Sequence, residues 1–339
     1  TRKKVLIIYT GGTLGMTHNE HGALEPKPGF LTQYIEELPE FRHGEMPQYT
    51  IIEYSPLIDS SCMTPADWVK MATDIETNYL LYDGFVIIMG TDTMAYTASA
   101  LSFMLESLAK PVILTGAQIP IAEVYSDARR NLIVSVIFAG NSSFHEVCIC
   151  FGDHLIRGSR AIKSNSNGLH AFTSPNFPPI ATLGVALDEN TDLMLPIARS
   201  MLRVHKRMDA KIVVLRLTPG FDYNVLRIIV QQTPELKGVV VEMFGSGNSL
   251  VTPVFLDAIR EARSKGIVVV ATTQCLHGGV SLDIYAVGRS IAEAGIISGV
   301  DMTVEAITTK LAYLCGRFPN ISDVERWMGI SIRGELTGP

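Results

Sequence analysis

Val86-Ile87-Ile88-Met89-Gly90-Thr91-Asp92-Thr93 decides the fold. An apolar run stops at a glycine and three small polar residues follow. The pattern reads as a buried strand whose C-terminal end carries side chains into a crevice. In open α/β sheets that crevice is where ligands sit. Val5-Leu6-Ile7-Ile8-Tyr9, running into Thr10-Gly11-Gly12-Thr13, has the same design. Two strand ends that deliver threonines to one place are the organising expectation.

Working outward, strand, polar turn and helix recur in order. Phe30–Leu38 reads as an amphipathic helix and Tyr49–Tyr54 as a strand. Thr64-Pro65-Ala66-Asp67 is a helix start, with Thr64 as N-cap and proline at the first helical position, and the helix runs to about Tyr82. Ala95–Leu108 reads as a buried helix, Pro111–Leu114 as a strand ending in Thr115-Gly116-Ala117-Gln118, Asn131–Ala139 as a helix and Glu146–Phe151 as a strand. Such alternation predicts parallel strands with right-handed crossovers. The pattern dissolves between Arg157 and Gly184, and Asp188–Asp209 reads as an extended linker. It restarts with strands at Lys211–Leu217, Gly238–Met243 and Ile267–Thr272, and helices at Asn224–Gln232, Val254–Lys265, Ala286–Ala294 and Val304–Cys315. The fold class is therefore α/β. A larger N-terminal domain (1–187) has a mostly parallel sheet with helices on both faces, a linker covers 188–210, and a smaller α/β domain covers 211–339.

Length and composition agree. A chain of 339 residues, 47% hydrophobic and 18% charged, suits two globular domains. A net charge of -6 argues against nucleic acid or an anionic membrane as partner. The apolar run Val5–Tyr9 is too short for a signal peptide, and no segment reaches membrane-spanning length, so a cytoplasmic location is expected. The five cysteines, an odd number without disulfide-like spacing, read as reduced buried thiols. Cys148 and Cys150 are expected on opposite faces of their strand, which excludes a joint metal clamp. The eight histidines show no metal spacing; His18 and His21 are loop residues without a third ligand.

Four strand ends carry small hydroxyls or carboxylates: Thr13, Asp59-Ser60-Ser61, Thr91-Asp92 and Thr115. An aspartate attracts an ammonium, while hydroxyls and helix-start amides receive a carboxylate, so the set suits a small ligand bearing both groups. Each alone is better explained as a helix cap. Thr10-Gly11-Gly12-Thr13 lacks the Gly-Lys-Ser/Thr ending of a P-loop and the dinucleotide glycine spacing. A threonine nucleophile needs a base and an oxyanion site, and glycines at 11 and 12 let backbone amides approach a carbonyl. Lys163 is a candidate base, with a solvated surface lysine as the competing reading.

These motifs resemble the bacterial-type L-asparaginase family, cytoplasmic type I branch. The matching stretches are Tyr9–Met16, Asp59–Ser61, Gly90–Tyr96, Lys110–Gln118, Ser174-Pro175-Asn176, Gly245-Ser246-Gly247-Asn248 and Arg333–Thr337, which together span the chain. The resemblance implies hydrolysis of asparagine to aspartate and ammonia without metal or cofactor. It implies Thr13 as the nucleophile of an acyl-enzyme, and Thr91, Asp92 and Lys163 as a proton-handling triad. Asp59, Ser60 and Ser61 would hold the substrate's α-amino and α-carboxylate groups, Asp92 would share the ammonium, and the Ala117 backbone would meet the side-chain amide. Asn248 matches a position supplied by a neighbouring subunit, which implies a homodimer or a homotetramer.

Several positions depart from the family pattern. Met89 stands where a histidine is usual, and Ala161-Ile162 where polar residues precede the lysine. Ala23 replaces a lid tyrosine, and Tyr285 matches a tyrosine able to take its activating role from the C-terminal side. Glu242 replaces an arginine through which some members respond to asparagine, which predicts loss of that allostery although Cys275 is retained. Two other readings follow: an amino-acid sensor that keeps the pocket without turnover, and a glutaminase-asparaginase of mixed specificity. A tRNA-dependent amidotransferase subunit would need an N-terminal extension and a basic surface.

Overall fold

The computed structural model describes residues 2–140, 143–284 and 286–338. The chain forms two compact units, Thr1–Lys206 and Arg207–Pro339.

The first unit is built on an eight-stranded sheet in the order Leu187–Glu189, Ala181–Leu183, His154–Arg157, Val147–Phe151, Val112–Thr115, Gly84–Ile88, Lys4–Tyr9 and Gln48–Glu53. Strands from Val147–Phe151 to Gln48–Glu53 run parallel; the remaining edge is antiparallel. The change of direction occurs at a tight turn where Gly152 has φ 62°, a conformation glycine adopts without strain. The central strands are apolar throughout because helices cover both faces. Val5, Ile7, Tyr9, Val86, Ile88 and Ile113 pack in one core cluster with Leu31 and Ile35 of helix Phe30–Glu37 and Leu132 and Val136 of helix Ala128–Ala139. Helices Pro65–Asn78 and Met94–Met104 contribute nothing to that cluster; they pack on each other, Trp68 Nε1 donating to Thr97 Oγ1 at 3.1 Å, and cover the opposite face.

Helix placement corrects one expectation. The chain moves from Lys4–Tyr9 to Gln48–Glu53 through Phe30–Glu37, and from Val112–Thr115 to Val147–Phe151 through Ala128–Ala139. Those crossovers run in opposite lateral directions over the same face, so they have opposite hands and cannot both be right-handed. Asp127 and Asn131, at the start of Ala128–Ala139, bind the 116–119 turn and hold that helix on its face. The hands matter less than the exits: the chain leaves Lys4–Tyr9 towards one face and Gly84–Ile88 towards the other. The crevice therefore opens between the ends of those strands.

Other differences are local. Most of the segment read as a linker, 188–206, is part of the first unit: Leu187–Glu189 extends the sheet, and Arg203–Val204 pairs with Leu105–Glu106, which also ends the preceding helix at Met104. Such short strands carry no periodicity to detect. Cys148 and Cys150 share one face and one core cluster, because residues two apart in a strand point the same way. Cys62 and Cys275 are exposed rather than buried. Helix Pro65–Asn78 starts as expected, with Asp67 accepting from both the backbone N–H and the hydroxyl of Thr64, but stops a turn early.

The second unit is a four-stranded parallel sheet in sequence order: Ile212–Arg216, Gly238–Met243, Val268–Thr273 and Ile296–Ser298. Helices Asn224–Gln232, Pro253–Ser264 and Ala286–Ala294 share a core with Val239, Val241 and Val269. Val304–Arg317 packs on the other face, where Gly238 has no side chain to obstruct Leu311. Lys310, wholly buried, pairs with Glu335 at 2.6 Å and donates to the carbonyls of Met328 and Ile330. The two charges of this buried pair satisfy each other, which is the condition for burying them. Among the described residues no helix is long and apolar enough to cross a membrane.

Candidate active site

The site is assembled by strand-end loops that interlock through glycines. Gly11 and Gly12 have φ of 139° and 94°. A Cβ on Gly11 would lie 2.3 Å from the Ile58 carbonyl oxygen, and one on Gly12 would lie 2.3 Å from the Gly90 nitrogen. Thr10 anchors this turn: its backbone N–H and its hydroxyl both donate to Ile88 O, and its carbonyl accepts from Ile58 N at 2.7 Å. Thr13 then opens a short 3-10 turn, Thr13–Gly15, in which Gly15 lies directly over the phenol of Tyr9. That phenol is buried and, among the described residues, has no hydrogen-bond partner; burial, with Glu53 adding, holds its ionisation well above the usual range.

Asp59-Ser60-Ser61 is locked to the same place. Asp59 caps a 3-10 turn by accepting from Ser61 N at 2.9 Å. Ser60 is buried against Gly90, and its carbonyl accepts from Thr93 Oγ1 at 2.8 Å. Thr93 is thus a structural hydroxyl. The capping role of Asp59 is real, and it leaves Asp59 and Ser61 exposed.

Lys163 is the residue that sequence spacing could not place. It stands 72 positions from Thr91, yet its Nζ donates to Thr91 Oγ1 at 2.8 Å and to Asp92 Oδ1 at 2.6 Å. The two-residue strand Ile162–Lys163, paired antiparallel with Phe172–Thr173, aims it there, and Ala161 is fully buried behind it. The lysine side chain is only 17% exposed while Asp92 is 66% exposed, so Asp92 offers its carboxylate to solvent as well as to the lysine.

A further turn carries Thr115–Gln118. Thr115 is not a site residue: its hydroxyl is buried and donates to Cys150 O at 2.9 Å. Ala117 is buried, and Gln118, to which the sequence reading gave no role, accepts from the Thr91 hydroxyl at 3.4 Å. Asp127 holds the turn by accepting from Gln118 N and Ile119 N, and Asn131 by donating to Gly116 O. An Asp and Asn four apart at a helix start were the available signal. Met89 is wholly buried, its N–H bound to Thr115 O at 3.0 Å.

Ala23 lies exposed in the hairpin of Met16–His18 and Leu24–Pro26, which His18 ties to Glu123 at 3.0 Å. In the second unit, Asn248 is exposed on the tight turn after Gly238–Met243, bonded back to Phe244 through its backbone. Tyr285 lies outside the described residues. Glu242 pairs with Arg216 at 3.4 Å, and burial, then the nearby Glu242, raises the Glu305 carboxyl above its usual range. Among the described residues no three His, Cys, Asp or Glu side chains converge as metal ligands would. A groove of about 660 Å³ lined by Arg2, Lys4, Tyr49 and Tyr82 lies at the opposite end of the strands from this chemistry.

Residues 4–194 match the family model described as "Asparaginase, N-terminal", and residues 211–328 match "Glutaminase/Asparaginase C-terminal domain". The chain belongs to the asparaginase family. It is 44% identical to L-asparaginase 1 of Escherichia coli K12, over 99% of this chain and 98% of that one. It is also 43% identical to the human 60 kDa lysophospholipase, matching 99% of this chain but only 62% of that longer protein. Among solved structures, L-asparaginase I from Vibrio cholerae superposes with a TM-score of 0.92 at 42% identity, covering 99% of this chain and 100% of that one. The mixed α/β architecture with a smaller C-terminal domain is therefore that of the asparaginases.

Proposed function

We propose that this chain hydrolyses L-asparagine to L-aspartate and ammonia through an acyl-enzyme on Thr13. The observation that carries the reading is the contact of Lys163 with both Thr91 and Asp92. A lysine held between a hydroxyl and a carboxylate is equipped to relay protons. The Thr13 hydroxyl attacks the side-chain amide carbon; its proton passes through Thr91 to Lys163 and is returned to the departing nitrogen. Water then cleaves the ester. Gly11, Gly12 and the backbone of Ala117 surround the developing oxyanion with amides. Asp59 and Asp92 receive the ammonium and Ser60 and Ser61 the α-carboxylate. Asn248, from a neighbouring subunit, and Tyr285, the activating tyrosine, complete the site in a cytoplasmic homodimer or homotetramer. The chemistry uses no metal or cofactor.

Met89, Ala161 and Ile162 motivate the reading as a sensor without turnover, since lost polar neighbours could misplace the triad; the contacts of Lys163 with Thr91 and Asp92 support the hydrolase instead. The test is steady-state ammonia release by the purified chain with asparagine and with glutamine, beside calorimetric titration with aspartate. Release from asparagine is expected. Aspartate binding with no ammonia over a broad pH range would overturn the reading in favour of a sensor. Equal turnover of glutamine would replace it with mixed specificity, since one methylene discriminates by only about 1–3 kcal/mol.

A further inference from the structure

Gln118 is fixed from both ends. Its Nε2 donates to Gly168 O at 3.1 Å, and a carbonyl can only accept, so the amide orientation is set and Oε1 faces Thr91. Gly168 is held in turn by Asn165, whose Oδ1 accepts from Asn167 N at 2.9 Å and Gly168 N at 2.8 Å. Asp127 secures the other end by accepting from the Gln118 backbone N–H at 3.1 Å.

A threonine hydroxyl has one proton, and among the described residues that of Thr91 has two neighbours. An amide oxygen cannot donate and an ammonium cannot accept. One arrangement satisfies both contacts: Lys163 donates to Thr91, and Thr91 donates to Gln118 Oε1. In that state the Thr91 proton points away from the lysine. The relay needs the reverse, with the Thr91 O–H turned towards a neutral Lys163 amine. The bond from Thr91 to hydrogen then breaks towards Nζ as a new O–H bond forms on Thr91 with the proton of the nucleophile.

We propose that Gln118 is the positioning residue that sets which way the Thr91 proton points, away from the Lys163 amine. The inference rests on the relay described above and adds a residue to it. Asp92 is the charged group in contact with Lys163, and Asp127 stands behind Gln118; neither is altered in the test.

The test follows the Lys163 ε-methylene by NMR across pH, with its signal assigned from Lys163→Arg, in the wild type, Gln118→Met and Gln118→Glu. Gln118→Met removes the acceptor, frees the Thr91 proton for the amine, and is expected to lower the lysine midpoint by about half a pH unit. Gln118→Glu keeps an acceptor oxygen and adds negative charge, and is expected to raise it. The acid limb of kcat/KM should move with the midpoint in each variant, while a residue that only packs would leave both unmoved. Midpoints that coincide in all three proteins, or that move the same way in both variants, overturn the inference. Because the titration needs no turnover, an inactive wild type would overturn the hydrolase reading separately and leave this result standing by itself.

Discussion

Gly12 and Gly90 meet backbone to backbone, so closely that a Cβ on Gly12 would sit 2.3 Å from the Gly90 nitrogen. Each glycine is followed at once by a threonine of the proposed site, so this contact sets the spacing of Thr13 and Thr91. Gly12→Ala forces the loops apart and also strains a φ of 94°. Displacement of reacting groups by about 1 Å costs about 10²-fold in rate, and a loss of at least that size in asparaginase kcat/KM is expected. Steady-state kinetics, with circular dichroism to show that the fold persists, checks it.

Glu146 and Arg157 form a pair that is 3% and 4% exposed, with Arg157 also donating to Leu193 O and Glu146 accepting from Leu195 N. Removing Glu146 deprives the buried Arg157 guanidinium of this carboxylate. Glu146→Ala should lose about 3–5 kcal/mol of stability by urea unfolding, while replacing both residues with apolar ones should recover much of it. The segment around 193–195 would loosen with the single variant.

Asp83 gives stability a pH dependence. Its carboxylate accepts from the Lys4 backbone N–H at 2.8 Å, with Lys3 alongside, and these hold it below its ordinary 3.8 against a smaller opposing effect of burial. A depressed folded value means that the contribution is complete above 3.8 and fades as pH falls through the lower folded value. Asp83→Asn should therefore be less stable than wild type at neutral pH, and the gap should close in acid. Thermal unfolding at a series of pH values measures it.

The thiols should divide by burial. Desolvation raises Cys148 and pushes Cys150 and Cys315 up to about 12, whereas Cys62 and Cys275 are exposed. Thiolate is the reactive form, so a disulfide reagent should label Cys62 and Cys275 in the native protein and reach the others only on unfolding. Peptide mapping of the labelled protein distinguishes the two sets.

What the sequence made legible was whatever a single strand end carries. The runs Val5–Tyr9 and Val86–Ile88 announced buried parallel strands because burial on both faces leaves no polar position, and their glycine stops announced Thr13 and Thr91. His154–Arg157 and Ala181–Leu183 were not legible, since strands of four and three residues at an antiparallel edge show too few alternations. The opposed hand of the two crossovers is a property of where helix Ala128–Ala139 lies, which no local pattern encodes. Lys163 was singled out by its polar setting and by resemblance; its contact with Thr91 belongs to tertiary structure alone. Gln118 was quoted as part of a motif and passed over, because its role depends on Gly168, fifty positions away. Thr115 misled for the opposite reason: a hydroxyl at a strand end can face the core as readily as the crevice.

The most direct measurement is ammonia release from asparagine by Thr13→Ala beside the wild type, at matched fold and oligomeric state. With Thr13 as nucleophile, the wild type turns over and the variant loses about 10⁴-fold or more in kcat, as other enzymes do when their nucleophile is removed. Turnover by Thr13→Ala within about tenfold of wild type would contradict the account and move the nucleophile elsewhere in the crevice.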